Sequence, residues 1–159
     1  MSGCVARPNG IDLWSMHIEE SFEIARPPEV VFDYMTNPAK LSSWQTSIAS
    51  VEQLTDGPPG LGSQFRERAK RPLGGSFEQV VEFAEFDRPR RLHVRIVEGP
   101  YPIHGTWTFV PSEDGTRVGF VAEGELTGLM KLVEPLAGRG LARQFARYHK
   151  NLRRNLEQD

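Results

Sequence analysis

Apolar and polar residues alternate along most of the chain from Met16 to Leu126. A spacing of three to five residues between apolar positions replaces that alternation from Leu126 to Leu156. Alternation places successive side chains on opposite faces of a β-strand, whereas the longer spacing is typical of one face of an α-helix. The chain therefore predicts a series of strands closed by one long helix.

Turn residues divide the alternating region into seven strands. The first strand, Met16 to Ile24, ends before Pro27-Pro28, where a short helix begins, and Asn37-Pro38 ends that helix before a second helical turn at Ala39 to Ser43. The six further strands are predicted at Ile48–Leu54, Ser63–Lys70, Phe77–Phe86, Arg91–Glu98, Tyr101–Val110 and Thr116–Leu126. Short Gly- and Pro-rich connections between them favour an antiparallel meander with one dry face and one wet face.

The closing segment has an apolar stripe opposite a basic face, as expected for a helix packed on a sheet. Pro135, Gly138 and Gly140 lie in its first half and predict a kink or a loosened turn there. A sheet curved around this helix would leave an apolar space between them that suits a small molecule. The stripe consists of Leu129, Leu132, Val133, Leu136, Leu141, Phe145, Tyr148, Leu152 and Leu156.

Composition and charge narrow the classes of partner. A chain of 159 residues with 38% hydrophobic and 25% charged residues fits one globular domain, which we place at residues 14–159 after a flexible leader at 1–13. The net charge of −2 gives no electrostatic reason to expect nucleic acid as a partner. No apolar run approaches the ~20 residues of a membrane span. Cys4 is the single cysteine, so we expect no internal disulfide and a cytoplasmic location.

Pleat parity predicts which strand residues face the closing helix, because alternate side chains leave opposite faces of a strand. These inward positions are mostly large and apolar, and Trp44 and three helix residues complete the expected cavity. The predicted ligand-binding residues are Trp44, Phe65, Glu67, Gln79, Val81, Phe83, Val94, Ile96, Trp107, Phe109, Leu132, Leu136 and Phe145.

Glu67 and Gln79 break the apolar wall, and Glu20 does the same on the first strand. A buried carboxylate is costly unless it is paired, so Glu67 is a candidate acid/base group or ligand anchor. The alternative is that these side chains lie at the pocket mouth, or in a bulge that shifts the parity. Tyr34 is the other catalytic candidate, with a place in the helix core as its alternative.

Motifs for other chemistry are missing from the sequence. The predicted strands place His17, His93 and His104 on outward positions, and His149 falls at the edge of the helix stripe. No two histidines stand at metal-ligand spacing with a carboxylate or thiol, and no phosphate-binding loop or serine elbow is present. We therefore expect no metal site and no cofactor.

Four passages carry a family resemblance: Arg26 to Trp44, Gly60 to Phe65, Asp87 to Leu92 and Gly115 to Val118. The first of them reads Pro-Pro-Glu-Val-Val-Phe-Asp-Tyr and then Asn-Pro-Ala-Lys-Leu-Ser-Ser-Trp. From Met16 to Glu157 the chain resembles the START-like helix-grip superfamily, and within it the bacterial polyketide cyclase/dehydrase and lipid-transport (SRPBCC) members. The resemblance implies an α+β helix-grip fold, in which a seven-stranded curved antiparallel sheet wraps around a long C-terminal helix and two short helices follow strand one.

Three functions remain open at this point. The apolar wall favours binding or transport of a hydrophobic small molecule, lipid-like or aromatic polyketide-like. The resemblance implies, as an alternative, a polyketide aromatase/cyclase or dehydratase, although the inward positions offer no Arg or His to polarise a carbonyl. A protein-interaction module with a closed cavity is the third possibility. The sequence pattern identifies neither the ligand nor the oligomeric state.

Overall fold

The computed structural model describes residues 15–125 and 134–158. Seven strands and three α-helices occupy these ranges, with one 3₁₀ turn at Pro38–Lys40. The strands are β1 Ser15–Ile24, β2 Ile48–Gln53, β3 Gln64–Lys70, β4 Ser76–Asp87, β5 Arg91–Glu98, β6 Ile103–Ser112 and β7 Gly115–Glu125. The helices are α1 Pro28–Thr36, α2 Leu41–Trp44 and α3 Glu134–Glu157. The predicted leader at 1–13 and the stripe residues Leu129, Leu132 and Val133 lie outside the described residues.

All seven strands form one antiparallel sheet in the order β1-β7-β6-β5-β4-β3-β2. Strands β1 and β2 are therefore at opposite edges, although they follow one another in the chain. Residues 25–47 between them, here called the crossing segment, must cross the whole sheet. Accordingly, α1 packs on β6 and β7, and α2 packs on β2 and α3. This curved sheet with its short helices and long C-terminal helix is the predicted helix-grip fold.

Strand boundaries differ from the sequence prediction by about two residues at most. The largest shift is in β6, which was predicted to begin at Tyr101 and begins at Ile103. Pro102 lacks a backbone N–H for a sheet ladder, and the Ile103 N–H instead donates to the Tyr101 carbonyl at 2.9 Å in a tight turn. The turn that begins at Gly99-Pro100 is thus longer than expected.

The C-terminal helix is α-helical from Glu134 onwards, including Gly138 and Gly140. The structure therefore does not have the loosened turn that was predicted at these glycines. The helix packs on β1 and α2, and its residues Tyr148, Leu152 and Leu156 are buried. Phe145 was predicted to be equally buried and is only partly so, because its ring lies at the pocket described below.

Candidate ligand-binding site

A pocket of about 120 Å³ lies between the inner face of β2–β6, the crossing segment and α3. Its walls are mostly apolar, and every element around it contributes at least one side chain. The lining residues are Met35, Thr36, Asn37, Pro38, Leu41, Trp44, Gln45, Val51, Phe65, Glu67, Gln79, Val81, Phe83, Leu92, Val94, Ile96, Ile103, Gly105, Trp107 and Phe145.

The sheet wall follows from strand parity, with one glycine that makes room for a large ring. Leu92, Val94 and Ile96 alternate into the pocket on β5. On β6 the same parity gives Gly105 next to Trp107, and a Cβ at Gly105 would lie 3.2 Å from the Trp107 ring. Such an approach is tighter than ordinary van der Waals contact, so the indole lies against this backbone because residue 105 has no side chain.

Glu67 and Gln79 are the polar pair of the sheet wall. They face each other directly in the β3–β4 register, which is unshifted from Gln64 to Lys70, and the Gln79 Nε2 donates to the Glu67 Oε2 at 2.7 Å. Glu67 is only 6% exposed. Burial disfavours its charged form and raises its pKa from 4.5 to about 7, against the opposing effect of the Gln79 hydrogen bond. The β3–β4 pairing has no bulge at this pair, although β4 has a register shift against β5 at Val80/Val81, and both polar exceptions line the pocket.

Two other polar side chains of the lining, Thr36 and Asn37, belong to the crossing segment and have local partners. The Thr36 hydroxyl donates to the Phe32 carbonyl at 2.9 Å, and the Asn37 side-chain oxygen accepts the Ala39 N–H at 3.0 Å. Among the described lining residues, Glu67 is the single carboxylate and no Lys, Arg or His is present. The pocket therefore contains no positive charge from the described part of the chain.

Trp44 supplies a hydrogen-bond donor of a different kind. Its side chain is 1% exposed and belongs to the lining, and its indole N–H has no hydrogen-bond partner among the described residues. A buried donor without a partner is rare in folded proteins and calls for an explanation.

Behind the pocket wall, Trp107 is held by a hydrogen-bond chain that runs through the buried His149 to the partly exposed Glu20. Its indole N–H donates to the His149 Nε2 at 3.1 Å, and the His149 Nδ1 lies 2.7 Å from a Glu20 carboxylate oxygen. Indole nitrogen only donates, so His149 accepts at Nε2 and carries its proton at Nδ1, which donates to Glu20. The chain fixes both the tautomer of the imidazole and the orientation of the Trp107 ring.

Sequence reasoning placed His149 at the edge of the helix stripe, and this was wrong. The side chain is 1% exposed and stacks on Phe22, with a ring-centroid distance of 4.7 Å. The spacing of Phe145, His149, Leu152 and Leu156 is four, three and four, which puts His149 on the buried line of the helix. That spacing was the available signal. Glu20 was predicted to face inward; its carboxylate accepts the hydrogen bond from His149, and the residue does not line the pocket.

Most of the predicted binding residues meet around this one pocket. Those that line it are Trp44, Phe65, Glu67, Gln79, Val81, Phe83, Val94, Ile96, Trp107 and Phe145. Leu132 lies outside the described residues. Apart from Trp44, the prediction missed the crossing segment, whose other lining residues are Met35, Thr36, Asn37, Pro38, Leu41 and Gln45.

Three predicted site residues lie elsewhere. Leu136 is 71% exposed, because the packed part of α3 begins at Leu141. Phe109 is buried in the core against Phe32, with ring centroids 5.4 Å apart, where α1 covers the sheet. Tyr34 does not line the pocket; its hydroxyl hydrogen-bonds Ser43 at 2.8 Å and accepts from the Asn155 amide at 3.2 Å. These two bonds tie α1 to α2 and α3, which is a structural role.

The sequence was also compared with known protein families. The family model described as "Polyketide cyclase / dehydrase and lipid transport" matches residues 15–157. The chain belongs to this family. No curated protein matches the sequence significantly.

Solved structures share the family's fold with this chain at low sequence identity. The protein TTHA0849 from Thermus thermophilus is 24% identical, with a TM-score of 0.73 over 89% of this chain and 96% of that one. The di-domain ARO/CYC StfQ of the steffimycin biosynthetic pathway is 13% identical, with a TM-score of 0.77 over 91% of this chain and 52% of that one. Ara h 8.0201 is 11% identical, with a TM-score of 0.69 over 91% and 99%. These likenesses establish the fold alone.

Metal-binding clusters and membrane-spanning helices are both missing from the described residues. In the ranges 15–125 and 134–158, no group of His, Cys, Asp and Glu side chains is arranged to hold a metal ion. Over the same ranges, no helix combines the length and the apolar character that a bilayer crossing needs.

Proposed function

We propose that this protein binds a hydrophobic small molecule in the pocket between the sheet, the crossing segment and α3. The observation that carries the proposal is the lining itself, in which aromatic and aliphatic side chains from several elements converge with very few polar groups. Lining of this kind is typical of small-molecule sites, where apolar walls supply affinity and a few polar groups orient the ligand. The family description, which includes lipid transport, agrees with such a role.

The size of the pocket favours a ligand about as large as one aromatic ring. Its volume of about 120 Å³ is close to that of an engineered apolar cavity of about 150 Å³ that binds benzene. Sites for drug-sized ligands are larger, at roughly 300–1,000 Å³. A larger lipid or polyketide would have to displace side chains of the pocket wall. We expect Leu41 and Phe145 on the helices to move first, because they are only partly buried.

A pair of neighbouring variants tests the proposal. Ile96 lines the pocket, whereas Val97, the next residue of β5, is exposed. Ile96→Phe should fill the pocket and abolish ligand binding, and Val97→Phe should leave binding unchanged. Binding is measured as a thermal shift across single-ring and two-ring aromatic compounds, fatty acids and sterols. A ligand at about 100 times its Kd should add about 2.7 kcal/mol to wild-type stability. If no compound of the panel raises the melting temperature of the wild-type protein, the proposal is wrong.

Catalysis is the second candidate, and the environment of Glu67 is the observation that favours it. A carboxyl group with a pKa of about 7 is suited to exchange protons with a bound molecule near neutral pH. The family description and the ARO/CYC name of StfQ fit a cyclase or dehydratase. Incubation with a β-hydroxy ketone that binds, followed by mass spectrometry for loss of one water, separates the two functions. Loss of water that Glu67→Gln abolishes would support an enzyme, and an unchanged ligand would support a binding protein.

A further inference from the structure

We infer that the pocket selects an uncharged apolar molecule with one carbonyl or hydroxyl oxygen, and that Glu67 hydrogen-bonds this oxygen while Gln79 holds the Glu67 carboxyl in place. The inference rests on the proposed function and adds to it the chemical class of the ligand. It also assigns the specificity of the pocket to one pair of side chains.

The geometry of the Glu67 carboxyl leaves one oxygen for a ligand. Oε2 accepts the Gln79 amide at 2.7 Å, and this is the one hydrogen bond of the Glu67 side chain within the described residues. When Glu67 is neutral, Oε2 remains the acceptor for Gln79 and the proton belongs on Oε1, which then becomes a donor. An oxygen acceptor on a bound molecule is the partner that such a buried O–H lacks.

Charged ligands meet no compensating group in this pocket. The described lining from α1, α2, α3 and strands β2 to β6 contains no cation, so a carboxylate ligand would be desolvated beside Glu67 without an ion-pair partner. A pure hydrocarbon has the opposite defect, because it covers the Glu67 carboxyl and leaves its donor unsatisfied. A neutral molecule with one oxygen avoids both penalties.

The charged neighbours of Glu67 in sequence belong to the other face of the sheet. On β3, Arg66 lies 3.1 Å from Glu52 and Arg68 lies 3.9 Å from Glu78, all of them with largely exposed side chains. Water screens the charges of such exposed pairs, so these pairs have little electrostatic effect on a buried group. The protonation of Glu67 is therefore governed by its burial and by Gln79.

Trp44, which also lines the pocket, carries a second buried donor. The buried Trp44 indole N–H has no partner among the described residues, and the Trp44 ring belongs to the crossing-segment wall. An oxygen atom is an acceptor for an indole N–H as well as for a carboxyl O–H. Neutral Glu67 and Trp44 thus both carry donors without partners among the described residues, which again favours an acceptor oxygen on the ligand.

The test uses probes with the same ring and different head groups: acetophenone, benzyl alcohol, benzoate and ethylbenzene, together with their naphthyl counterparts. Calorimetry on the wild-type protein at pH 6 should show acetophenone and benzyl alcohol binding about tenfold more tightly than ethylbenzene, the worth of one hydrogen bond. Benzoate should not bind measurably. At pH 8.5, where Glu67 is ionised, the acetophenone affinity should fall roughly 30-fold if the neutral form alone binds it.

Two variants at Glu67 separate this inference from the proposed function. Glu67→Gln keeps a donor that does not titrate, so acetophenone should bind it equally at pH 6 and pH 8.5. Glu67→Leu should prefer ethylbenzene over acetophenone, with folding of each variant checked by its thermal melt. Equal affinities of the wild-type protein for ethylbenzene and acetophenone at both pH values would overturn the inference and leave the proposed function standing. If neither the wild-type protein nor Glu67→Leu binds any single-ring or naphthyl probe, both fail.

Discussion

At the scale of single residues, Glu67 links the stability of the protein to pH. Its pKa is raised from 4.5 to about 7 in the folded chain, so the folded state holds this proton at pH values where the unfolded state has released it. Stability contributed by the proton is complete below the unfolded pKa and is lost as pH rises through the folded one. The buried carboxyl therefore destabilises the fold at neutral and alkaline pH.

Glu67→Gln should remove this pH dependence, because the amide has the shape of the neutral acid and does not titrate. Between pH 4.5 and pH 8, the stability of the wild-type protein relative to Glu67→Gln should fall by about 3 kcal/mol. Urea denaturation of both proteins at the two pH values measures this difference, and the titration of all other groups cancels. A constant difference between the proteins would place Glu67 in a solvated environment.

His149 is the second residue whose partners define its role. Its imidazole accepts a hydrogen bond from the Trp107 indole N–H and donates one to the Glu20 carboxylate. Removing the imidazole therefore leaves both of these groups without a partner. His149→Phe should cost about 1–3 kcal/mol in the free energy of unfolding, and the exposed His17→Phe should change it by less than about 0.5 kcal/mol. A double-mutant cycle with Glu20→Gln should give a coupling of at least about 0.5 kcal/mol. Additive effects of the two changes would contradict a shared hydrogen-bond chain.

At the scale of secondary-structure elements, the junction between β1 and α1 is built tightly against the start of β7. The Thr116 hydroxyl donates to the Arg26 carbonyl at 2.7 Å, and Thr116 is fully buried. A Cβ at Gly115 would lie 2.2 Å from the Ile24 carbonyl oxygen. Real Cβ atoms do not approach backbone atoms so closely, so the junction requires glycine at this position.

Gly115→Ala should therefore force the two segments apart and lower the free energy of unfolding by about 1–3 kcal/mol or more. Gly60→Ala is the matched control, since a Cβ there meets its nearest heavy atom only at 4.0 Å. Chemical denaturation of both variants compares the two sites. Equal, small effects would mean that β1 and β7 are not joined at Gly115 as described.

The elements themselves were largely predictable, because alternation and Gly- or Pro-rich turns are local signals. Strand β5 was predicted with its observed boundaries, and β6 was misplaced by two residues because Pro102 extends the preceding turn. The sheet wall of the pocket could be predicted for the same reason, since parity alone sends Val94 and Ile96 inward. Apart from Trp44, the wall formed by the crossing segment could not be predicted, because it depends on β1 and β2 lying at opposite edges of the sheet. That order is a long-range property which no local pattern encodes.

At the scale of the whole molecule, the fold brings together an apolar pocket and Glu67, which is the one buried acid among the described residues. The sheet supplies Glu67 and Gln79 in adjacent strands, and the crossing segment and α3 close the space around them. Family membership is consistent with a ligand in this space, and the proposed specificity comes from side chains that belong to this chain.

The most direct measurement is an isotope-filtered NOE experiment on the ¹³C-labelled protein with unlabelled acetophenone at pH 6. We expect NOEs from the ligand to the Val81 and Ile96 methyl groups and to the Trp107 ring, all of which line the pocket. Saturating acetophenone with NOEs confined to exposed side chains such as Val97 and Val110, and none to the lining, would contradict the account.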